Sequence, residues 1–212
     1  MQAEYKTIKE IAKAELNIER SKFISHISYA NSREEAEAFI HMIKAEYKDA
    51  THNVSAFVIG PKLELKWATD DGEPQGTAGT PILKVLEEKG ITNTVVVVTR
   101  YFGGKKLGTG GLVRAYTDST LEVIKESVLC EVYNITSIKV RLDYASYNKL
   151  VKLNFPFYTE IVSTEFQDTV SVEIDTDPEK IEELKEAIDN ISRGKALIDI
   201  CEDKIKSIPI EK

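Results

Sequence analysis

The run Thr94–Thr99 and the glycine-rich segment after it constrain the fold more than any other part of the sequence. The run reads Thr-Val-Val-Val-Val-Thr, and an unbroken β-branched run is typical of a strand buried on both faces. The segment Arg100–Gly111 contains five glycines. Apolar residues then recur at three- and four-residue spacing, which predicts a helix ending near Ser127. We therefore expect a central strand joined to a helix by a glycine loop.

The glycine loop has the chemistry of an anion-binding site. Glycine leaves backbone amides uncovered, and the first turn of a helix offers unpaired N–H donors with a partial positive charge. The residues predicted to bind an anion or a nucleic-acid backbone are Arg100, Tyr101, Gly103, Gly104, Lys105, Lys106, Gly108, Thr109, Gly110, Gly111 and Arg114. The alternative is a tight strand-to-helix connection with solvated cations, because a glycine-rich loop alone is a weak motif.

A second loop, Thr69–Pro81, is rich in carboxylates and glycines. Its three carboxylates within four residues have two interpretations: a cation or acid–base site, or ion pairs with Arg100 or Lys105 that hold the glycine loop in shape. The loop has neither calcium-loop spacing nor a recognisable nucleophile, which favours the ion pairs. No catalytic residue, metal ligand or cofactor is therefore assigned. The residues of this acidic loop, with a histidine expected to meet it, are His52, Asp70, Asp71, Glu73, Gly76 and Thr77.

The first part of the chain alternates between strand and helix patterns. Strands are predicted at residues 5–8, 12–18, 22–29, 53–59 and 63–68. The first three would form an initial meander and the last two a hairpin. Ser32 and Glu35 match a capping box that opens a helix, and Thr80 with Pro81 predicts the N-cap and first position of a shorter one. These patterns predict an α+β sandwich of two layers.

The second part has a different order of elements. Asp143 and Asp177 are predicted helix N-caps, and Pro178 would take the first helical position. Strands are predicted at residues 134–142, 158–166, 169–175 and 196–205. The resulting order is βαββαβ, the pattern of ferredoxin-like domains. We place the boundary after residue 130, which gives domains 1–130 and 131–212.

Charge and composition limit the classes of function. The net charge is −7. Up to Val128 the chain has 17 Lys and Arg and 18 Asp and Glu, so most of the negative charge lies in the residues after Val128. An acidic protein is not drawn to nucleic acid by bulk attraction, and contact would need a local basic patch. No apolar run reaches membrane-spanning length and no secretory signal pattern is present, so we expect a cytoplasmic protein without a membrane partner. Two cysteines are too few for a disulfide framework.

Three blocks of the sequence carry a family resemblance. Asp70–Gly79, Gly79–Leu83 and Arg100–Gly108 resemble the signature of the IMPACT/YigZ family in its bacterial two-domain form. The resemblance implies a first domain like the second domain of a small-subunit ribosomal protein. It also implies a ferredoxin-like second domain similar to a late domain of elongation factor G. Eukaryotic relatives restrain a starvation-sensing translation kinase, so the resemblance points toward translation.

Two functions of different class follow. The first is a noncatalytic protein associated with RNA, the ribosome or a translation-related protein, with a role in translation regulation or the stress response. The second is a small-molecule enzyme, a phosphate-ester or nucleotide hydrolase, in which the glycine loop holds phosphate and Asp70, Asp71 or Glu73 positions a metal or water.

Overall fold

The computed structural model describes residues 2–210, which divide into two compact units. The N-terminal unit consists of Glu4–Val132 together with residues 207–210. The C-terminal unit is built mainly from Tyr133–Lys206. Within the described residues, none of the helices has both the length and the apolar character needed to cross a membrane.

A five-stranded antiparallel sheet organises the N-terminal unit. Its strands are β2 (Ala12–Ile18), β3 (Ser21–Tyr29), β4 (His52–Ile59), β5 (Leu65–Thr69) and β6 (Thr94–Tyr101). They lie in the order β2-β3-β6-β4-β5. The first strand, β1 (Tyr5–Ile8), pairs instead with the start of β7 (Leu129–Leu142). The predicted three-stranded meander is therefore wrong, because β1 finds its hydrogen-bond partners far along the sequence.

Helices cover both faces of this sheet. They are α1 (Arg33–Glu46), α2 (Gly79–Glu88) and α3 (Gly108–Glu126). In the central strand β6, Val96 and Val98 join the core with α2 and α3, while Val95 and Val97 join the core with α1. The buried central strand is confirmed, but the two-layer arrangement is wrong. The unbroken valine run offers apolar side chains to both faces, so a third layer can pack against it.

The start of α2 differs from its predicted position. The helix begins at Gly79, so Thr80 and Pro81 lie inside its first turn rather than at its N-cap and first position. The Asp70 carboxylate accepts hydrogen bonds from the backbone N–H groups of Ala78 at 3.1 Å and Gly79 at 2.9 Å. A carboxylate from the preceding loop thus supplies the cap that Thr80 was expected to supply.

The described residues of the C-terminal unit combine four strands with two α-helices. After β7 come α4 (Tyr144–Leu150), β8 (Thr159–Phe166), β9 (Val170–Thr176), α5 (Ile181–Ser192) and β10 (Leu197–Pro209). The strand order is β10-β7-β9-β8, and the βαββαβ order of elements is confirmed. Leu150 of α4 and Leu184 and Ile188 of α5 pack on the sheet in a core of their own. The α+β class, with two sheets, is confirmed.

Candidate functional site

A cleft of about 410 Å³ lies at the N-terminus of α3, and we call it the α3 cleft. Its walls include Glu73 and Pro74 from the acidic loop and Lys106, Leu107, Gly108 and Thr109 from the glycine loop. The two loops therefore meet in one cleft, as the sequence predicts. The cleft volume falls in the range of roughly 300–1,000 Å³ that is typical of small-ligand sites.

The first turn of α3 opens into the cleft without a side-chain cap. The N-cap residue, Leu107, has helical backbone angles and makes no side-chain capping hydrogen bond. The next residues, Gly108 and Thr109, line the cleft. Because a helix N-terminus carries unpaired N–H donors and a partial positive charge, this turn is suited to an anion.

A buried ion pair lies beside this turn. Arg100 Nη1 donates to Glu73 Oε1 at 2.6 Å, and both side chains are at most 5% exposed. Tyr116 Oη, from α3, donates to the same carboxylate oxygen at 2.8 Å. Burial and the neighbouring Glu73 carboxylate raise the pKa of Tyr116 far above its usual range, so its hydroxyl stays protonated. The predicted pairing of Arg100 with the acidic loop is confirmed.

The Arg100 guanidinium is held on several sides. Its Nη2 donates to Ser21 Oγ at 3.3 Å, and its Cζ lies 5.4 Å from the ring centroid of Phe23 and 5.5 Å from that of Phe102. Its Nε is buried and has no hydrogen-bond partner among the described residues. Arg100 thus lines the cleft as a buried cation that is paired within the protein. The sequence suggests instead a solvent-exposed cation of the glycine loop.

His52 connects the cleft to the acidic loop. Its Nδ1 lies 2.8 Å from the carbonyl oxygen of Asp71, so Nδ1 carries the proton that this hydrogen bond requires. Its Nε2 lies 3.8 Å from Glu73 Oε2. The expected meeting of His52 with the acidic loop is therefore confirmed, and His52 and Glu73 both line the cleft.

The other two carboxylates of the acidic loop are engaged in shaping it. Besides capping α2, Asp70 accepts a hydrogen bond from the N–H of Gly76 at 2.7 Å. Asp71 accepts from the N–H of Asn53 at 2.6 Å and from Lys44 Nζ at 2.7 Å. Thr77 is buried and donates its hydroxyl to the loop's own backbone, the carbonyl of Pro74, at 2.6 Å. These bonds hold the acidic loop against Asn53 of β4 and against the first turn of α2.

The glycine loop is tight at one point because the backbone of another loop passes close by. A Cβ on Gly103 would lie 1.8 Å from the carbonyl oxygen of Arg20. Gly104 and Gly108 have φ values of 85° and 70°, which favour glycine. Gly110 and Gly111 lie in the first turn of α3. At Gly103 the glycine loop therefore lies directly against the turn between β2 and β3.

The predicted cations lie in different places around the loop. Lys105 forms an exposed ion pair with Glu19 and not with the acidic loop. Lys106 lines the α3 cleft and also a second cleft of about 370 Å³, which Lys105 and Arg114 share. Tyr101 points elsewhere and donates its hydroxyl to Asp49 at 2.9 Å. Of the predicted lysines and arginines, Lys106 and Arg100 therefore line the α3 cleft.

Sequence reasoning missed two side chains that build the site. Tyr116 reads as one member of the apolar stripe of α3, although a tyrosine in such a stripe needs a partner for its hydroxyl when it is buried. Ser21, placed in a turn by the sequence, is fully buried and accepts hydrogen bonds from Arg100 and from the N–H of Gly103. Within the described residues, no group of three or more His, Cys, Asp or Glu side chains is arranged to hold a metal ion.

Comparison with known proteins places both parts of the chain in one family. Residues 19–124 match the Impact N-terminal domain, and residues 140–195 match a domain of unknown function, DUF1949. The IMPACT family member YvyE of Bacillus subtilis is 44% identical over 146 residues, which cover 69% of this chain and 67% of that protein. An IMPACT family member of Haemophilus influenzae is 34% identical over 206 residues, which cover 94% and 98%.

A solved structure, described as that of a hypothetical protein, agrees with these matches. It is 28% identical to this chain and covers 95% of it, with 99% of its own length aligned and a TM-score of 0.61. Two matched domains in sequence order and a relative aligned over nearly its whole length lead to one conclusion: this chain belongs to the IMPACT family.

Proposed function

We propose that this protein is a noncatalytic RNA- or ribosome-associated protein that acts in translation regulation or the stress response. The observation that supports this most directly is that the uncapped first turn of α3 and the side chain of Lys106 share one cleft. Backbone amides at a helix N-terminus and a lysine are groups that bind phosphate in nucleic-acid backbones. The cleft would therefore hold an RNA phosphate.

The link to translation comes from the family resemblance. Its implied likenesses, to a domain of a small-subunit ribosomal protein and to a late domain of elongation factor G, are both to parts of the translation apparatus. A ribosomal or translation-related partner, met in the cytoplasm, belongs to the same proposal. Because the net charge is −7, the protein as a whole does not attract RNA. The contact therefore depends on the local cations and backbone amides of the cleft.

The geometry of the carboxylates supports a noncatalytic role. Asp70 and Asp71 accept hydrogen bonds from backbone amides and from Lys44. Glu73 is neutralised by Arg100 and accepts the Tyr116 hydroxyl. With these partners the three carboxylates hold the loop, the start of α2 and the buried arginine in place, which supports a structural role for them.

One observation favours the alternative of a phosphate-ester or nucleotide hydrolase. His52 and Glu73 stand 3.8 Å apart in a cleft of ligand size. A screen of phosphate-containing metabolites with added Mg²⁺ tests this alternative. Turnover that His52→Ala abolishes would establish the hydrolase and overturn the noncatalytic proposal.

Reversing the charge of Lys106 tests the proposed function. We expect Lys106→Glu to weaken binding to ribosomes and to RNA oligonucleotides. The decrease of log affinity with log salt should become less steep by about 1, because one phosphate contact is lost. Gradient co-sedimentation and titrations at several salt concentrations measure this.

The matched control for this test is Lys84→Glu, the same charge change at an exposed position of α2. It should leave binding unchanged. Equal binding by the Lys106→Glu variant and the unaltered protein, at every salt concentration, would contradict the proposal.

A further inference from the structure

The α3 cleft has an apolar part that phosphate binding alone leaves unused. Phe102, the residue after β6, is 44% exposed, and it lines the cleft together with Pro74, Leu107 and Leu112. Phosphate would occupy only the amide end of the cleft, near Gly108. A ligand that fills the cleft must therefore carry a flat or apolar group next to its phosphate.

Phe102 is held in place although it is exposed. Its N–H donates to Thr51 Oγ1 at 3.0 Å, and its ring centroid lies 5.5 Å from the Arg100 guanidinium carbon. Arg100 itself is only 4% exposed, and its Nε has no partner among the described residues. An exposed aromatic ring positioned beside a buried cation is a suitable platform for a second planar π system.

We propose that the α3 cleft receives an unpaired nucleotide of single-stranded RNA, with its base against Phe102 and its phosphate at the first turn of α3 and Lys106. This inference rests on the proposed function and names the form of RNA that the site takes. In a duplex the bases are paired and stacked inside, so a base cannot enter an apolar cleft. In a single strand each base is free to stack on an aromatic side chain.

The second cleft supplies a path for the rest of the strand. Lys106 and Leu107 line both clefts. Arg114 lines the second one together with Asp118 and with Lys105, which is paired there with Glu19. A strand that places one phosphate at the first turn of α3 would meet these cations at a neighbouring phosphate. Bases in one cleft and cationic side chains along the backbone are the arrangement of single-strand binding sites.

The test compares a single-stranded RNA oligonucleotide with a duplex of the same sequence, using the full chain and fluorescence anisotropy. We expect the unaltered protein to prefer the single strand. Phe102→Ala should lower affinity for the single strand by roughly fivefold or more, because base stacking is lost, and should leave duplex affinity unchanged. Phe102→Tyr should keep the preference, because the ring is retained.

Two controls make the result specific. Phe166→Ala removes another exposed aromatic side chain, on β8, and should leave RNA binding unchanged. If Phe102→Ala fails to fold, Phe102→Leu keeps apolar volume without the ring and should show the same loss of preference. Equal affinity of the unaltered protein for single strand and duplex, or an equal loss of both in Phe102→Ala, would overturn this inference alone. Absence of any RNA or ribosome binding would overturn the proposed function as well.

Discussion

The side chain of Glu73 is only 4% exposed, and its charge is compensated by Arg100 within the same buried network. The Tyr116 hydroxyl occupies a further lone pair of the carboxylate. Buried charges of this kind contribute little net stability as a pair, but removing one partner leaves the other uncompensated. Each of Glu73 and Arg100 therefore needs the other to stay charged and buried beside the α3 cleft.

Removing the carboxylate tests this dependence. We expect Glu73→Ala to lower the free energy of unfolding by about 3–5 kcal/mol, because Arg100 would stay buried without a counter-charge. The control is Glu19→Ala, which removes the exposed ion pair with Lys105 and should cost at most about 1 kcal/mol. Urea unfolding followed by the fluorescence of Trp67, the single tryptophan, measures both. Equal losses in the two variants would show that Arg100 does not depend on Glu73.

At the scale of elements, the glycine loop is shaped by its neighbours as well as by its own sequence. Ser21, in the first position of β3, accepts hydrogen bonds from Arg100 and Gly103. The Arg20 carbonyl lies against Gly103 so closely that a Cβ there would overlap it. The turn between β2 and β3 thus sets the path by which the chain leaves β6 and reaches α3.

Two glycines of the same loop should respond in opposite ways to alanine. Gly103→Ala places a Cβ 1.8 Å from Arg20 O and should destabilise the protein by about 1–3 kcal/mol through overpacking. A Cβ at Gly110, in the first turn of α3, meets nothing within 4 Å, so Gly110→Ala should stabilise it by up to about 1 kcal/mol. Urea unfolding measures both changes. A stabilising Gly103→Ala would contradict the close approach of the Arg20 carbonyl to Gly103.

Local signals were sufficient for several element boundaries. Ser32 accepts a hydrogen bond from the N–H of Glu35 at 3.2 Å, and Glu35 in turn accepts one from the N–H of Asn31 at 2.9 Å, so the predicted cap of α1 is confirmed. Asp143 likewise caps α4 through the N–H of Ser146 at 2.7 Å. These caps are predictable because donor and acceptor lie within four residues of each other. The start of α2 was not predictable in this way, because its cap comes from Asp70, nine residues before Gly79.

At the scale of the whole molecule, each unit has its own hydrophobic core. In the N-terminal unit, Val95–Val98 of β6 contribute to cores on both faces of the sheet. In the C-terminal unit, Leu184 of α5 is fully buried in a separate core. A unit with its own core has an independent source of stability, so a defect in one core should be felt mainly in that unit.

A core substitution in the C-terminal unit tests this independence. We expect Leu184→Ala to lower the stability of that unit by about 2–5 kcal/mol. The unfolding transition reported by Trp67, which packs against the α1 core of the N-terminal unit, should keep its midpoint. Circular dichroism, which reports both units, should show an earlier transition. A Trp67 midpoint that shifts by the same amount would show that the units unfold together.

The sequence by itself determined the strand, loop and helix of residues 94–126, the βαββαβ order and the meeting of the two loops, because these follow from local periodicity, capping and charge. The tertiary structure alone decided which groups share the α3 cleft. Glu73, Arg100 and Tyr116 come from a loop, a strand and a helix, and Phe102 is positioned by Thr51. The packing of β6 between helices on both faces of the sheet was also not predicted from the sequence. Such contacts join residues distant in the chain, and the balance of burial and pairing among them is settled only when the sheet and its helices pack together.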